Sequence, residues 1–306
     1  MKFTGSMAGC YVAFHKQLGD LVLLEPALSR LLAHHGRPVR LMTRNGHADL
    51  VALMPGVKFV KGLALAPVRS LYCFDPLSKS AFRSLLAPVL TRRLVVPERA
   101  ELRWYHPLVF SGPSNPELGD SYVAEYFWEH TPVPAHAPFR PPVLSEPPDD
   151  WAPAGWKPGE FILVNPTSGW KKKMWTVEGW TAVLRALGPR CRFVLTNAGS
   201  DWQAAHCEGI AAATGGAVIR QTALRQFLWL CANARAVLSV DGAASHLASA
   251  FGVKCFTVFG PTRMAQWHRP APGHIAFQAP PNTGGIRGLQ RLEAGPVIEA
   301  LAALEI

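Results

Sequence analysis

The stretch that decides the fold is Ala236-Val237-Leu238-Ser239-Val240, then Asp241-Gly242-Ala243-Ala244, Ser245-His246-Leu247-Ala248-Ser249-Ala250-Phe251 and finally Val253-Lys254-Cys255-Phe256-Thr257-Val258-Phe259. The first five residues form a short apolar run of strand type, and Asp241 to Ala244 supply a turn of small residues. Ser245 to Phe251 reads as a helix, and Val253 to Phe259 as another strand. Strand, turn, helix and strand in that order make a βαβ unit, whose strands are parallel.

The same rhythm continues on both sides of this segment. Phe161 to Asn165 is strand-like, and Thr176 is placed to cap a helix in which Val177, Trp180, Val183, Leu184 and Leu187 keep helical spacing. Arg192 to Thr196 predicts a strand, with a helix after Asp201. Val218-Ile219 gives a short strand, Ala223 to Ala232 a helix, and Pro296 to Leu304 a closing helix. In the first half, Cys10 to Phe14 reads as a strand and His15 to Asp20 as a polar loop. A helix follows with Leu21, Leu24, Leu28, Leu31 and Leu32 on one face, placing Pro26 near its first turn. Val39 to Thr43, Val57 to Val60, Val68 to Phe74 and Arg93 to Val96 are further apolar runs, and Ser121 to His130 predicts a helix.

Between Thr131 and Pro158 the prolines crowd together, from Pro132 and Pro134 to Pro153 and Pro158, so neither helix nor central strand fits. A segment of this kind reads as an interdomain linker. The expected architecture is α/β, with two Rossmann-like domains covering residues 1–145 and 146–306. A chain of 306 residues suits two cores better than one.

Hydrophobic residues make up 49% of the chain and charged residues 17%, which excludes a disordered protein. The formal net charge of +10 favours anionic partners. Basic residues are scattered apart from Lys171-Lys172-Lys173, and no aromatic-basic stripe argues for nucleic acid. The six cysteines form no C-x-x-C and no zinc spacing with histidine, so reduced thiols and no metal site are expected. No apolar run reaches the ~18 residues a bilayer requires. A membrane role would be peripheral.

Parallel sheets bind ligands beyond the carboxyl ends of their strands, so the loops there carry the chemistry. Four stand out. In His15-Lys16-Gln17-Leu18-Gly19-Asp20, the carboxylate of Asp20 could take a proton from a hydroxyl, or simply cap the helix that follows. In Asn165-Pro166-Thr167-Ser168-Gly169-Trp170 and the lysines after it, hydroxyls and positive charge suit a diphosphate, although no Walker sequence is present. In Asp241-Gly242-Ala243-Ala244-Ser245-His246, small residues open a helix whose free N–H groups could meet a phosphate. Here Asp241 and Ser245 are alternatively caps and His246 a packing residue. In Asn197-Ala198-Gly199-Ser200-Asp201, the acidic residue could bind ribose hydroxyls or cap a helix. The dinucleotide fingerprint G-x-G-x-x-G is absent, against a dehydrogenase.

Together these loops resemble the heptosyltransferases of glycosyltransferase family 9. The resemblance rests on Gly19-Asp20 running into Leu21 to Leu28, on Pro166-Thr167-Ser168-Gly169-Trp170 with Lys173-Met174-Trp175, and on Asp241 to Leu247 followed by Phe259-Gly260-Pro261-Thr262. The second block is most similar to the branch that adds a third core heptose. The resemblance implies a GT-B fold with two Rossmann-like domains facing a central cleft. It also implies inverting, metal-independent transfer of a heptose from ADP-heptose to a lipopolysaccharide core acceptor. Asp20 matches the general base. Thr167, Ser168 and Lys173 match the donor-diphosphate binders, and Asp241, Gly242, Ala243 and His246 the loop holding phosphates and sugar. Asp201 sits near the family's acidic ribose ligand, and adenine is expected near Ile219 to Leu224.

No cofactor is implied besides the donor substrate. The expected partners are the nucleotide sugar, a phosphorylated glycolipid acceptor and the anionic inner leaflet, with the protein in the cytoplasm. Two departures stand out: Phe14 occupies a position often basic in the family, with His15 and Lys16 just after it, and Gly242 stands where Ser or Thr is frequent. Arg69, Lys79, Arg83, Arg92, Arg93, Arg99 and Arg103 are candidates for acceptor phosphates. A transferase using another nucleotide sugar such as a UDP-sugar, or a non-catalytic carbohydrate- or nucleotide-binding protein of the same fold, fits the same residues.

Overall fold

The computed structural model describes residues 10–61, 70–74, 92–95 (as backbone), 118–188, 191–197, 199–219, 222–281 and 288–306. The chain divides into two compact units, Met1–Ser145 and Glu146–Ile306. The division falls inside the proline-dense stretch.

Unit 1 carries a five-stranded sheet in the order β3-β2-β1-β4-β5, parallel throughout. The strands are β1 (Cys10–Ala13), β2 (Val39–Met42), β3 (Val57–Phe59), β4 (Ser70–Cys73) and β5 (Arg92–Val95). Beyond β1 comes α1 (Leu18–His35), which buries Leu21 to Leu24, Ala27, Leu28 and Leu31 and ends at Gly36 in a left-handed cap. The helix starts earlier than its leucine spacing predicts. Leu18 and Gly19 already belong to it, which leaves Pro26 in the helix interior, where one intrahelical hydrogen bond is forgone. Two more helices among the described residues are α2 (Ala48–Ala52) and α3 (Val123–Glu129), and α3 packs on α1.

The proline-rich segment after α3 is fastened to α1 by an ion pair. Arg140 donates from Nη2 to Oε1 of Glu25 at 2.7 Å and from Nη1 to Oε2 at 2.8 Å, and Val143 N–H adds a bond to Oε2 at 3.0 Å. The Glu25 side chain is 3% exposed. A carboxylate in the apolar face of α1 is tolerated because each oxygen has a donor.

Unit 2 carries a six-stranded sheet in the order β11-β10-β9-β6-β7-β8, again parallel throughout. Its strands are β6 (Ile162–Asn165), β7 (Phe193–Thr196), β8 (Ala217–Ile219), β9 (Ala236–Val240), β10 (Cys255–Phe259) and β11 (His274–Gln278). The helices are α4 (Val177–Ala186), α5 (Asp201–Thr214), α6 (Leu224–Asn233), α7 (Ala243–Phe251), α8 (Met264–Trp267) and α9 (Ala294–Ala302). Thr176 caps α4 through a bond from Gly179 N–H to its hydroxyl at 3.0 Å, as its sequence position predicts. Trp175 and Trp180 meet edge to face at 5.6 Å within a core that includes Ile162, Val164, Phe193, Leu195 and Val258. The half-buried edge strand β11 and short α8 have no counterpart in the sequence reading, because Pro270, Pro272 and Gly273 interrupt every period around them.

Both sheets have a place where the chain reverses direction along the strand order. In unit 1 it lies at β1, with β2 on one side and β4 on the other; in unit 2 it lies between β6 and β9. Loops leaving neighbouring strands diverge there and open a crevice at the carboxyl edge, the usual ligand position in such sheets.

Candidate functional site

The loops at the carboxyl edge of the unit 2 sheet are residues 166–176 after β6 and the turn after β9. They converge on one ion pair. Lys173 Nζ lies 2.6 Å from Asp241 Oδ2, with the lysine side chain 17% exposed and the aspartate 3%. Thr262, in the loop after β10, donates its hydroxyl to the same Oδ2 at 2.7 Å. The carboxylate is buried, so two donors offset the loss of water around it. Trp170 stacks beside this pair: its indole lies 5.2 Å from Lys173 Nζ and 5.1 Å from Lys172 Nζ, and 57% of the residue is exposed.

The lysine loop is braced from below. Trp175 is buried and donates its indole N–H to the Leu292 carbonyl at 2.9 Å. Gly288 lies directly against the Lys172 carbonyl oxygen, at a φ of +34°. At the other end of the loop, Gln203 on α5 donates to the Ser168 carbonyl at 3.1 Å and accepts from the Ser200 hydroxyl at 2.7 Å. Thr167 is buried, while Ser168 is half-buried and its hydroxyl accepts from Trp170 N–H at 3.4 Å.

After Asp241, Gly242 adopts an extended conformation as N-cap of α7 and, lacking a side chain, gives the helix no cap bond of its own. The Ser245 hydroxyl donates back to the Gly242 carbonyl at 2.8 Å, so it does not serve the helix N–H groups either. The expectation that Asp241 or Ser245 caps the helix is therefore not met. The amides of this nine-residue helix's first turn, carrying its positive end, are the natural partners of an anion. A Cβ at Gly242 would meet only the Val240 carbonyl at 3.8 Å, so glycine is not sterically required there.

His246 follows one turn into α7, buried, with its ring 6.1 Å from that of Trp267. Burial pushes its pKa down to about 4; Asp241 opposes the shift, and Lys173 and His268 add to it. At neutral pH it is a neutral imidazole rather than a cation. Asp201 does not cap α5: Ser200 holds the N-cap position and Asp201, exposed, is the first helical residue. Gln203, two residues further along α5, is the residue that bonds to the Ser168 loop. Ala198 of that turn and residues 220–221 of the segment expected near adenine lie outside the described residues.

In unit 1 the loop after β1 is shorter than predicted. Asp20 is the third residue of α1 rather than a loop residue, and its Oδ2 accepts the Gln17 N–H at 3.1 Å in a capping arrangement. Arg44, at the end of β2, donates to the His15 carbonyl at 2.7 Å and to the Gln17 side chain at 3.1 Å. The sequence reading missed this arginine, which brings positive charge to the end of the first strand although Phe14 does not. Arg69, Lys79, Arg83, Arg99 and Arg103 lie outside the described residues, and Arg92 and Arg93 are described only as backbone of β5.

All six cysteines are free thiols, and burial raises those of Cys10, Cys207 and Cys255 to about 12. Among the described residues there is no group of three or more His, Cys, Asp or Glu placed to hold a metal ion. Among the same residues, no helix is long and apolar enough to cross a membrane.

Residues 143–279, which span β6 to β11 and the whole lysine–aspartate–threonine cluster, match the family model described as glycosyltransferase family 9 (heptosyltransferase). Over these residues the chain is similar to family 9 glycosyltransferases. Solved structures similar to this chain include the heptosyltransferase WaaC of E. coli with ADP, at 18% identity over 96% of this chain and 98% of that one, with a TM-score of 0.77. WaaC has also been solved with ADP-2-deoxy-2-fluoro heptose. The ADP-heptose lps heptosyltransferase II of E. coli is 17% identical over 97% and 98% of the two chains, with a TM-score of 0.75. A family 9 glycosyl transferase from Veillonella parvula DSM 2008 is 14% identical over 97% of each chain, with a TM-score of 0.77. At these identities the likeness is one of fold, α/β with parallel sheets of the GT-B heptosyltransferase type. No curated protein matches the sequence.

Proposed function

We propose that this glycosyltransferase moves a heptose from ADP-heptose to a lipopolysaccharide core acceptor, with inversion and without a metal. Unit 2 takes the donor and unit 1 the acceptor. The observation that carries the reading is the Lys173–Asp241 pair beside the glycine-capped start of α7, at the reversal point of the unit 2 sheet. An ammonium and a helix N-terminus together stabilise the charge that grows on a departing diphosphate. Thr167 and Ser168 add short hydroxyl donors, Asp241 and neutral His246 accept and donate to sugar hydroxyls, and Asp201 binds ribose.

In the transfer itself, the acceptor hydroxyl attacks the anomeric carbon from the side opposite ADP, the bond to the diphosphate oxygen breaks, and the carboxylate of Asp20 receives the hydroxyl proton. The bond from Gln17 N–H holds that carboxylate in one orientation. The +10 net charge suits a phosphorylated glycolipid at the cytoplasmic leaflet of an inner membrane. The choice of adenine and heptose draws on the ligands of WaaC.

Thermal-shift titration with ADP and UDP, together with turnover of Asp20→Asn on heptose-deficient lipopolysaccharide, tests the reading. Stabilisation by ADP and a ~10²–10⁴-fold loss of turnover are expected. Stabilisation by UDP alone overturns the donor, and full turnover in Asp20→Asn overturns the base.

A further inference from the structure

We infer that Thr262 is a positioning residue for donor recognition, acting through Asp241 to keep the Lys173 ammonium available to a diphosphate. The inference rests on the donor reading above and assigns a task to a residue that reading does not use.

Asp241 emerges one residue beyond β9, between two strands that each supply a partner. The loop after β6 brings Lys173, and the loop after β10 brings Thr262. Asp241 N–H is itself fixed to the Val258 carbonyl at 3.1 Å, so the carboxylate starts from a rigid point. Both donors then reach the same oxygen, Oδ2, at 2.6 and 2.7 Å.

That sharing has a chemical consequence. An ammonium has three protons, and one is spent on Oδ2. With the threonine hydroxyl on the same oxygen, the lone pairs of Oδ2 are divided and the carboxylate cannot rotate freely toward the lysine. Its charge is also partly satisfied by a neutral donor, which weakens its grip on Lys173 and its repulsion of an incoming phosphate. Without the hydroxyl, the buried carboxylate turns to the lysine alone and withdraws the cation from the ligand. The hydroxyl donates here, so Ser in its place preserves the effect and Val abolishes it.

The experiment compares ADP and AMP binding by calorimetry in wild type, Thr262→Val, Thr262→Ser, Lys173→Met and the Val/Met double variant, with Tm measured for each. The β-phosphate is the only difference between the two probes, and UDP with UMP gives the same comparison for a uridine-preferring protein. Expected are an ADP affinity about tenfold lower in Thr262→Val, unchanged AMP affinity, recovery in Thr262→Ser, and no further loss in the double variant beyond Lys173→Met. Equal losses for ADP and AMP, or a Thr262→Val that binds ADP normally while Lys173→Met does not, overturn the inference and leave the donor reading standing. If Lys173→Met also binds ADP normally, the donor reading falls with it.

Discussion

Gly288 and Lys172 are in contact through backbone alone: a Cβ at position 288 would collide with the Lys172 carbonyl oxygen. The φ of +34° at Gly288 adds a conformational reason for glycine. Gly288→Ala must therefore displace the backbone next to Lys173 rather than a flexible side-chain tip. The expected result is a Tm lower by several degrees, equivalent to about 1–3 kcal/mol, with ADP affinity reduced as well. Calorimetry and thermal melting check both; normal ADP affinity in the variant would show the loop to be indifferent to this contact.

A second prediction concerns acid. Burial holds His246 and His268 at about 4 and lowers His274 and His206 as well. In the unfolded chain these groups protonate near 6.5. Between pH 6.5 and 4 the unfolded state thus binds more protons than the folded one, so stability is complete above 6.5 and falls as pH drops through this window. Melting curves from pH 7.5 to 4.5 should show a steep fall in Tm, shallower in His246→Gln. An unchanged slope in that variant would mean His246 protonates in place.

A third concerns unit 1. Arg140→Leu removes two donors from Glu25 and leaves a buried carboxylate with the Val143 N–H. Denaturant unfolding should show a loss of about 3 kcal/mol. In Glu25→Gln the amide keeps an acceptor for Val143, so the loss should be smaller. Equal losses would place the stability in the hydrogen bonds rather than in the charge.

The alternation of strands and helices was legible because buried parallel strands read as short apolar runs, as Ala236 to Val240 does residue for residue. Lys173 and Asp241 drew attention as charged residues in strand-end loops, and their pairing across 68 positions follows from β6 and β9 being neighbours. That neighbourhood is a property of strand order, which no local pattern encodes. Thr262 stands in the Phe259-to-Thr262 block without a role, and Gln203 goes unread, for the same reason: each is an ordinary polar residue until the fold brings it to Asp241 or Ser168. At Asp20 the error was local. Gly19 looked like a loop residue, yet it lies buried in the first turn of α1, so the helix begins two residues before the carboxylate.

The tie from the Trp175 indole to Leu292 reaches past the last residue of the family match. A fragment ending at Ala279 would keep Lys173, Asp241 and Thr262 in its sequence yet lose the floor beneath the loop that carries the lysine. The edge that carries Lys173 is thus assembled from a segment and its distant tail, and trimming the tail is a way to detune the cation without touching it.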